Sequence, residues 1–501
     1  MAIKNLILME RADMENKLEY GNKKIEFPKY PPTIASYYKY LNKELVKYFS
    51  SLRPNCKNIP DRSGIVPVNA YDIGNYLAKY GMASFQLQVI MKLDRRLGFD
   101  TLVKAVRLSL DVEPVLGCRF VKSNPPYWKR FDDIDNIKFC SIEETANSDE
   151  AVQRFLESSM NMDNDPMIMV RLIRCETYDT LCFKINHVCS DGAGVKDYIQ
   201  LLSDIYSRIG QNDVLVLTPS ERSRKDHDKL VNTLKECNPD TSWTPLQQTP
   251  LTTWSFPWKN MRIGSTGFLV CKLPYGDLDK LHNYAKSRGA TINDLILTAI
   301  FRAMFEIAKP PYGIPMEIPI TMDLRKYLPE QKAEAIRNFS GGYILRISRK
   351  ANELFEGTLA RVMAKTKDLK NRHPGLENAI KVDLIENMNF NSICAFVKAI
   401  AQVIESASQN PFIAINRCNP VLSNIGLISK SLLKFGEATV TDVYAVPPAI
   451  RAPGMLLVAG SYNGILTLTV GYYKPSVRKT DLEGLLNKIK DELIKGCTCG
   501  V

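Results

Sequence analysis

Histidine is scarce in this chain and its cysteines are not paired: four histidines and twelve cysteines are spread over 501 residues without one CxxC spacing. A structural zinc site gathers four nitrogen or sulfur ligands at short spacings. The tail GCTCGV holds Cys497 and Cys499 with no third ligand nearby, so no metal site is expected there or elsewhere. No apolar run approaches membrane-spanning length, and MAIKNLILMERADMENK at the N-terminus has too short an apolar stretch for a secretory signal. These absences point to a cytoplasmic protein with reduced, buried thiols such as Cys118, Cys182 and Cys271 in apolar runs. Long basic runs are missing too, although the net charge is +12. The densest clusters, SRKDHDK at 223–229 and WKNMR at 258–262, read as solvated surface. With no nucleic-acid motif beside them, nucleic acid is not an expected partner.

What is present is a soluble globular composition, 45% hydrophobic and 24% charged, on a chain too long for one ordinary core. Residues 1–65 read as a charged extension, with PPTIASYYKYLNKELVKYFSSL (31–52) as one amphipathic helix. From about 66 to 210 strands and helices interleave. SFQLQVIMKLD (84–94) alternates Phe85, Leu87, Val89, Met91 and Leu93, as a half-buried strand does, and FDTLVKAVRLSL (99–110) puts Leu102, Ala105, Val106 and Leu110 on one helical face. VLGCRFV (115–121) and YWKRFDD (127–133) read as paired strands, 142–160 as an acidic helix, and PMIMVRLIRC (166–175) and TLCFKINHV (180–188) as two further strands. Residues 211–262, rich in Thr, Pro and Gln, read as a linker or surface crossover. The same grammar returns over 263–501. It includes a helix at TINDLILTAIFRAMFEI with a capping box at Thr291 and Asp294, strands at 316–322 and 341–348, helices at 351–371 and 376–407, closing strands VLSNIG, ATVTDVYAV, MLLVAGSY and ILTLTVGYY, and a last helix at 480–495. The fold class expected is α/β, in two units on either side of the linker.

The chemistry concentrates in FKINHVCSDGAGVKDYI, 183–199, where a strand runs into a helix. A Ser/His/Asp relay through Ser190 fails on geometry, because relay members converge from separate elements rather than from one turn. One His and one Asp are too few ligands for a metal. Two readings remain on the residues alone. His187 is a lone general base, able as a neutral imidazole to take a proton from a hydroxyl or amine, or it is a satisfied core histidine at a strand end. Asp191 suits a helix cap or a partner for an arginine, and Gly192 allows a positive φ after the motif.

NHVCSDG resembles the HHxxxDG signature of chloramphenicol acetyltransferase, the condensation domains of nonribosomal peptide synthetases, alcohol acetyltransferases, wax-ester synthases and polyketide-associated acyltransferases. The likeness runs from about 66 to 490, in the families' order, through EPVLGCRF (113–120), TINDLILTAIFRA (291–303), IPITMDLRKYLP (318–329), IRNFSGGY (336–343) and VLSNIG (421–426). The departure is Asn186, where many members carry the first histidine. The resemblance, in type nearest the alcohol acetyltransferases, implies two acetyltransferase-like subdomains meeting in a V, with a tunnel open at both ends and His187 midway. It implies transfer of an acyl group from a thioester to an alcohol or amine with no acyl-enzyme. The donor would be acyl-CoA, whose phosphates the basic charge suits, or a phosphopantetheine on an acyl-carrier protein; a catalytically silent binding protein is the third reading. Arg325 is the implied partner of Asp191, and Asn186, Asn338, Ser340, Ser423 and Asn424 are the implied polar groups at the substrate. No tightly bound cofactor is expected, and a monomer would hold a complete site.

Overall fold

The computed structural model describes residues 64–211 except 82, 254–371, 374–375, 388–408 and 418–498, with short pieces at 19–20, 23–24, 219, 229–230 and 232–233. The chain divides into two units, Met1–Pro54 and Asn55–Val501. In the first, Glu19–Tyr20 and Lys23–Lys24 pair antiparallel; the helix expected over 31–52 lies outside the described residues.

The second unit is built on two six-stranded sheets and a small three-stranded one. Its first elements are β1 (Ile65–Pro67), α1 (Ala70–Ala78), β2 (Gln86–Leu93), α2 (Phe99–Val112), β3 (Cys118–Val121), β4 (Tyr127–Arg130), β5 (Cys140–Glu144), α3 (Ser148–Glu157), β6 (Ile168–Arg174), β7 (Asp179–Asn186) and α4 (Gly192–Gly210). All eight residues of β7 are buried, because this central strand is covered on both faces. Phe183 meets Tyr198 of α4 on one side, and Cys182 joins Phe155 and Val152 of α3 on the other. The remaining elements are β8 (Thr266–Lys272), α5 (Asp277–Ser287), α6 (Ile292–Ala308), β9 (Pro315–Asp323), β10 (Ser340–Ser348), α7 (Phe355–Lys370), α8 (Phe390–Ser408), β11 (Asn419–Leu427), β12 (Lys434–Phe435), β13 (Ala438–Val446), β14 (Gly454–Tyr462), β15 (Ile465–Tyr473) and α9 (Lys479–Thr498). The second large sheet runs β8–β15–β14–β11–β9–β10. Its α6 side carries an extensive core, with Leu295, Ile296, Ile300, Phe301, Leu422, Leu457, Leu485 and Ile489 among its members. The capping box of Thr291 and Asp294 forms at the start of α6.

Several elements differ from the sequence-based reading. The acidic helix expected at 142–160 begins only at Ser148, because 140–144 is taken up as β5, parallel to β6. Helix α1 is not among the elements expected from the sequence, although Asn69 and Asp72 form a capping box at its start. The helix expected over 376–407 is described only from Phe390. Most of the expected linker lies outside the described residues, yet Trp254 and Phe256 at its end are core side chains. The largest difference concerns β13, which the periodicity grouped with the closing strands. It leaves them and pairs antiparallel with β2, so the other large sheet runs β12–β13–β2–β7–β6–β5.

Candidate active site

The site is made by the turn between β7 and α4 and by what grips it. Asn186 ends the strand and shapes the turn. Its carbonyl accepts from the Cys189 N–H at 3.1 Å and its Oδ1 from the Val188 N–H at 3.0 Å. The His187 N–H donates to the Phe85 carbonyl at 2.9 Å. Asn186, Val188, Cys189, Ser190 and Asp191 are all buried, while His187 between them is only partly buried. Burial pushes the Cys189 thiol well above its ordinary value, so it stays protonated and weakly nucleophilic.

Asp191 caps α4 and anchors it at once. Its Oδ1 accepts from the Gly194 N–H at 2.9 Å; its Oδ2 accepts from Arg325 Nη1 at 2.9 Å and from the Phe339 N–H at 2.7 Å. Arg325, in the short turn after β9, also donates to Asp323 Oδ1 at 3.0 Å and to the Arg337 carbonyl at 2.7 Å. Its guanidinium lies 5.2 Å from the Phe339 ring centroid. Burial alone would raise the Asp191 carboxyl, but the charge and hydrogen bonds of Arg325, with the Gly194 and Phe339 amides, hold it below the ordinary carboxylate value. Aspartate and arginine are 2% and 4% exposed, so the pair is sealed inside the protein.

The other expected polar groups separate. Asn338 is fully buried, and its Nδ2 donates to the Val188 carbonyl at 2.7 Å and to Asp72 Oδ1 at 3.2 Å. Its amide hydrogens are thus used inside the protein, tying the histidine turn to α1. Asn186 is likewise spent on the turn. Ser423 and Asn424 are consecutive on β11 and so face opposite sides of the sheet. Ser423 Oγ accepts from Thr321 Oγ1 at 2.9 Å, whereas Asn424 Nδ2 reaches Asn293 of α6 at 3.1 Å and its Oδ1 accepts from the Gly426 N–H at 2.9 Å. Ser340 is exposed, with its hydroxyl 3.5 Å from Asp191 Oδ2. Gly192 is not among the positive-φ glycines. Its small size matters instead, since a Cβ there would meet Ile425 Cγ2 at 3.1 Å.

Four contributors had no reading from the sequence. A Cβ on Gly194 would stand 2.6 Å from Ser190 Oγ. Lys196 donates to the Ile425 carbonyl at 2.9 Å and thereby ties α4 to β11. Asp72 accepts from Trp128 Nε1 at 3.0 Å and from Asn338. Phe85 lies against the His187 ring, 5.4 Å between centroids. Of these only Gly194 carried a signal, being a second glycine in the first turn of a helix.

A strand-to-helix turn thus carries a partly exposed histidine, and the buried aspartate of that turn is gripped by an arginine that follows a strand of the second sheet. The condensation-domain family model matches residues 78–310, and the fold is shared with solved condensation domains and with an acetyltransferase. Among solved structures, a trichothecene 15-O-acetyltransferase from Fusarium sporotrichioides superposes with a TM-score of 0.64 at 14% identity, over 89% of this chain and 100% of that one. The first condensation domain of the CDA synthetase gives 0.61 at 11% identity, over 86% and 97%. The X-domain from teicoplanin biosynthesis, in its complex with OxyB, gives 0.56 at 14% identity, over 89% and 96%. No curated protein sequence matches the chain. Among the described residues no helix is long and apolar enough to cross a membrane.

Proposed function

We propose that this protein transfers an acyl group from a thioester, acyl-CoA in the first instance, to an alcohol or amine, with His187 as the general base. The observation that carries this reading is the contrast within one turn: Asn186 and Val188 to Asp191 are buried, whereas His187 between them is only partly buried. The unprotonated ring nitrogen takes the acceptor's proton as its oxygen or nitrogen bonds to the thioester carbon. When the carbon–sulfur bond breaks, the proton passes to the leaving thiolate, so no acyl-enzyme, metal or resident cofactor is needed. A tunnel reaching His187 from two sides would let donor and acceptor meet there. The tetrahedral oxyanion needs hydrogen-bond donors. With Asn338 and Asn424 engaged elsewhere, and the Thr321 hydroxyl donating to Ser423, the hydroxyls left to serve are those of Ser340 and Ser423. The net charge of +12 suits the phosphates of coenzyme A.

Thiol release from a panel of acyl-CoAs, with alcohol and amine acceptors, tests this directly. Release should require both substrates, and His187→Gln should lower turnover by about 10²–10⁴-fold with an unchanged melting temperature. Turnover with acyl-carrier phosphopantetheine but not with acyl-CoA would reassign the donor. The second reading, a silent binding protein, draws on Asn186 at the first motif position and on the X-domain, a fold neighbour solved in a complex with OxyB. Wild-type levels of turnover in His187→Gln would sink the general-base reading.

A further inference from the structure

We infer that Phe85 is a positioning residue for His187, holding the imidazole at the angle that proton transfer requires; this rests on the reading of His187 as the base. The histidine lacks the usual means of orientation. A catalytic imidazole is normally aimed by a hydrogen bond to its second nitrogen, but Nδ1 of His187 is buried and has no hydrogen-bond partner among the described residues. Phe85 lies against the ring, tilted 31° to it at 5.4 Å between centroids.

Phe85 sits where a phenylalanine is not expected. Its φ is +40°, in the left-handed region that a bulky side chain rarely enters. Such a conformation persists only when the surroundings over-determine it, and here they do. On one side, Ala83 bridges to Ile450, the Ser84 N–H donates to the Ala449 carbonyl at 3.0 Å, and Ser84 Oγ accepts from the Ala449 N–H at 3.0 Å. On the other, Gln86 pairs with Asn186, donates to the Ser158 carbonyl at 3.0 Å and accepts from the Met160 N–H at 3.0 Å. Between these anchors the Phe85 carbonyl takes the His187 N–H at 2.9 Å. Backbone and ring of the same residue therefore hold backbone and ring of the histidine. Glycine would adopt this backbone without strain and would supply the backbone contact equally well. The ring is what glycine lacks, and the ring faces the imidazole.

The test compares Phe85→Leu, Phe85→Gly and Phe85→Tyr in the full chain. Loss of the flat ring should lower kcat by about 10- to 100-fold in the first two, with KM nearly constant, while Phe85→Tyr should stay close to wild type. Phe85→Gly should melt no lower than Phe85→Leu, so the lost activity cannot be assigned to unfolding. In parallel, NMR of ring-labelled histidine, with the His187 signals assigned by His187→Gln, should show one ring environment in wild type and averaged or shifted signals in Phe85→Leu. Wild-type kcat together with unmoved His187 signals in Phe85→Leu overturns the inference. If the wild-type protein transfers no acyl group, the proposed function fails, and the NMR comparison alone decides whether Phe85 holds the ring.

Discussion

Replacing Asp191 by asparagine is the sharpest probe of how this site is held. The carboxylate accepts from three groups at 2.9 Å or less: the Gly194 amide, Arg325 Nη1 and the Phe339 amide. An asparagine whose Oδ1 keeps the helix cap must turn its NH₂ toward the Phe339 N–H and the guanidinium, setting donors against donors. Removing one partner of a buried pair costs about 3–5 kcal/mol, because the remaining charge is left without compensation. Asp323 stays 3.0 Å from Arg325 with its side chain 46% exposed, which places the expected loss toward the lower end. Equilibrium urea unfolding followed by tryptophan fluorescence reads it directly. Adding Arg325→Met to Asp191→Asn should cost less than the two single losses combined, the coupling falling at about 0.5–3 kcal/mol. The pH dependence gives a second, independent sign. The folded-state pKa of Asp191 lies below its unfolded value. Its contribution is therefore complete above the ordinary carboxylate pKa, about 3.9, and fades as pH falls through the lower folded value. The gap between wild type and Asp191→Asn should be constant from neutral pH to about pH 5 and close in stronger acid. An Asp191→Asn protein as stable as wild type yet inactive would refute the reasoning, since Asp191 would then act in the chemistry and not as a brace.

Two further outcomes follow from the surroundings of the turn. Gly194→Ala places a Cβ 2.6 Å from Ser190 Oγ and should destabilise by about 1–3 kcal/mol, with Ser190→Ala restoring part of the loss in the same melting experiment. Lys184, fully buried on β7, donates to the Phe155 and Ser158 carbonyls and to Ser158 Oγ at 2.6 Å; burial, with Arg171 nearby, brings its ammonium down to about 7. Between pH 7 and the ordinary lysine value of about 10.4 the unfolded chain binds the extra proton, so stability should rise with pH across that window. Lys184→Met should flatten that rise, as urea midpoints measured from pH 7 to 10 would show.

Much of the fold was legible because its cause is local. Period-two runs became β2, β6 and β7, the capping box at Thr291 became the start of α6, and an aspartate beside a strand-to-helix glycine became a cap. The buried partner of Asp191 was legible only through likeness, since 134 residues separate it from Arg325 and no spacing joins them. What stayed hidden depends on neighbours that one strand cannot name. Strand β13 alternates as its companions do, and nothing in ATVTDVYAV says which sheet will take it. Ser423 and Asn424 looked alike as polar groups, but the pleat sends them to opposite faces. Phe85 looked like the first residue of a strand; its positive φ comes from anchors at Ala449, Ile450 and His187.

The strand that changes sheets also limits how the polypeptide can be divided. Val440–Val446 hydrogen-bonds along Gln88–Leu93, so a fragment stopped before residue 438 would leave β2 as a new sheet edge with an open ladder of amides and carbonyls, a template for self-association. A nick between the halves leaves two pieces that need each other, and neither makes a module to transplant by itself.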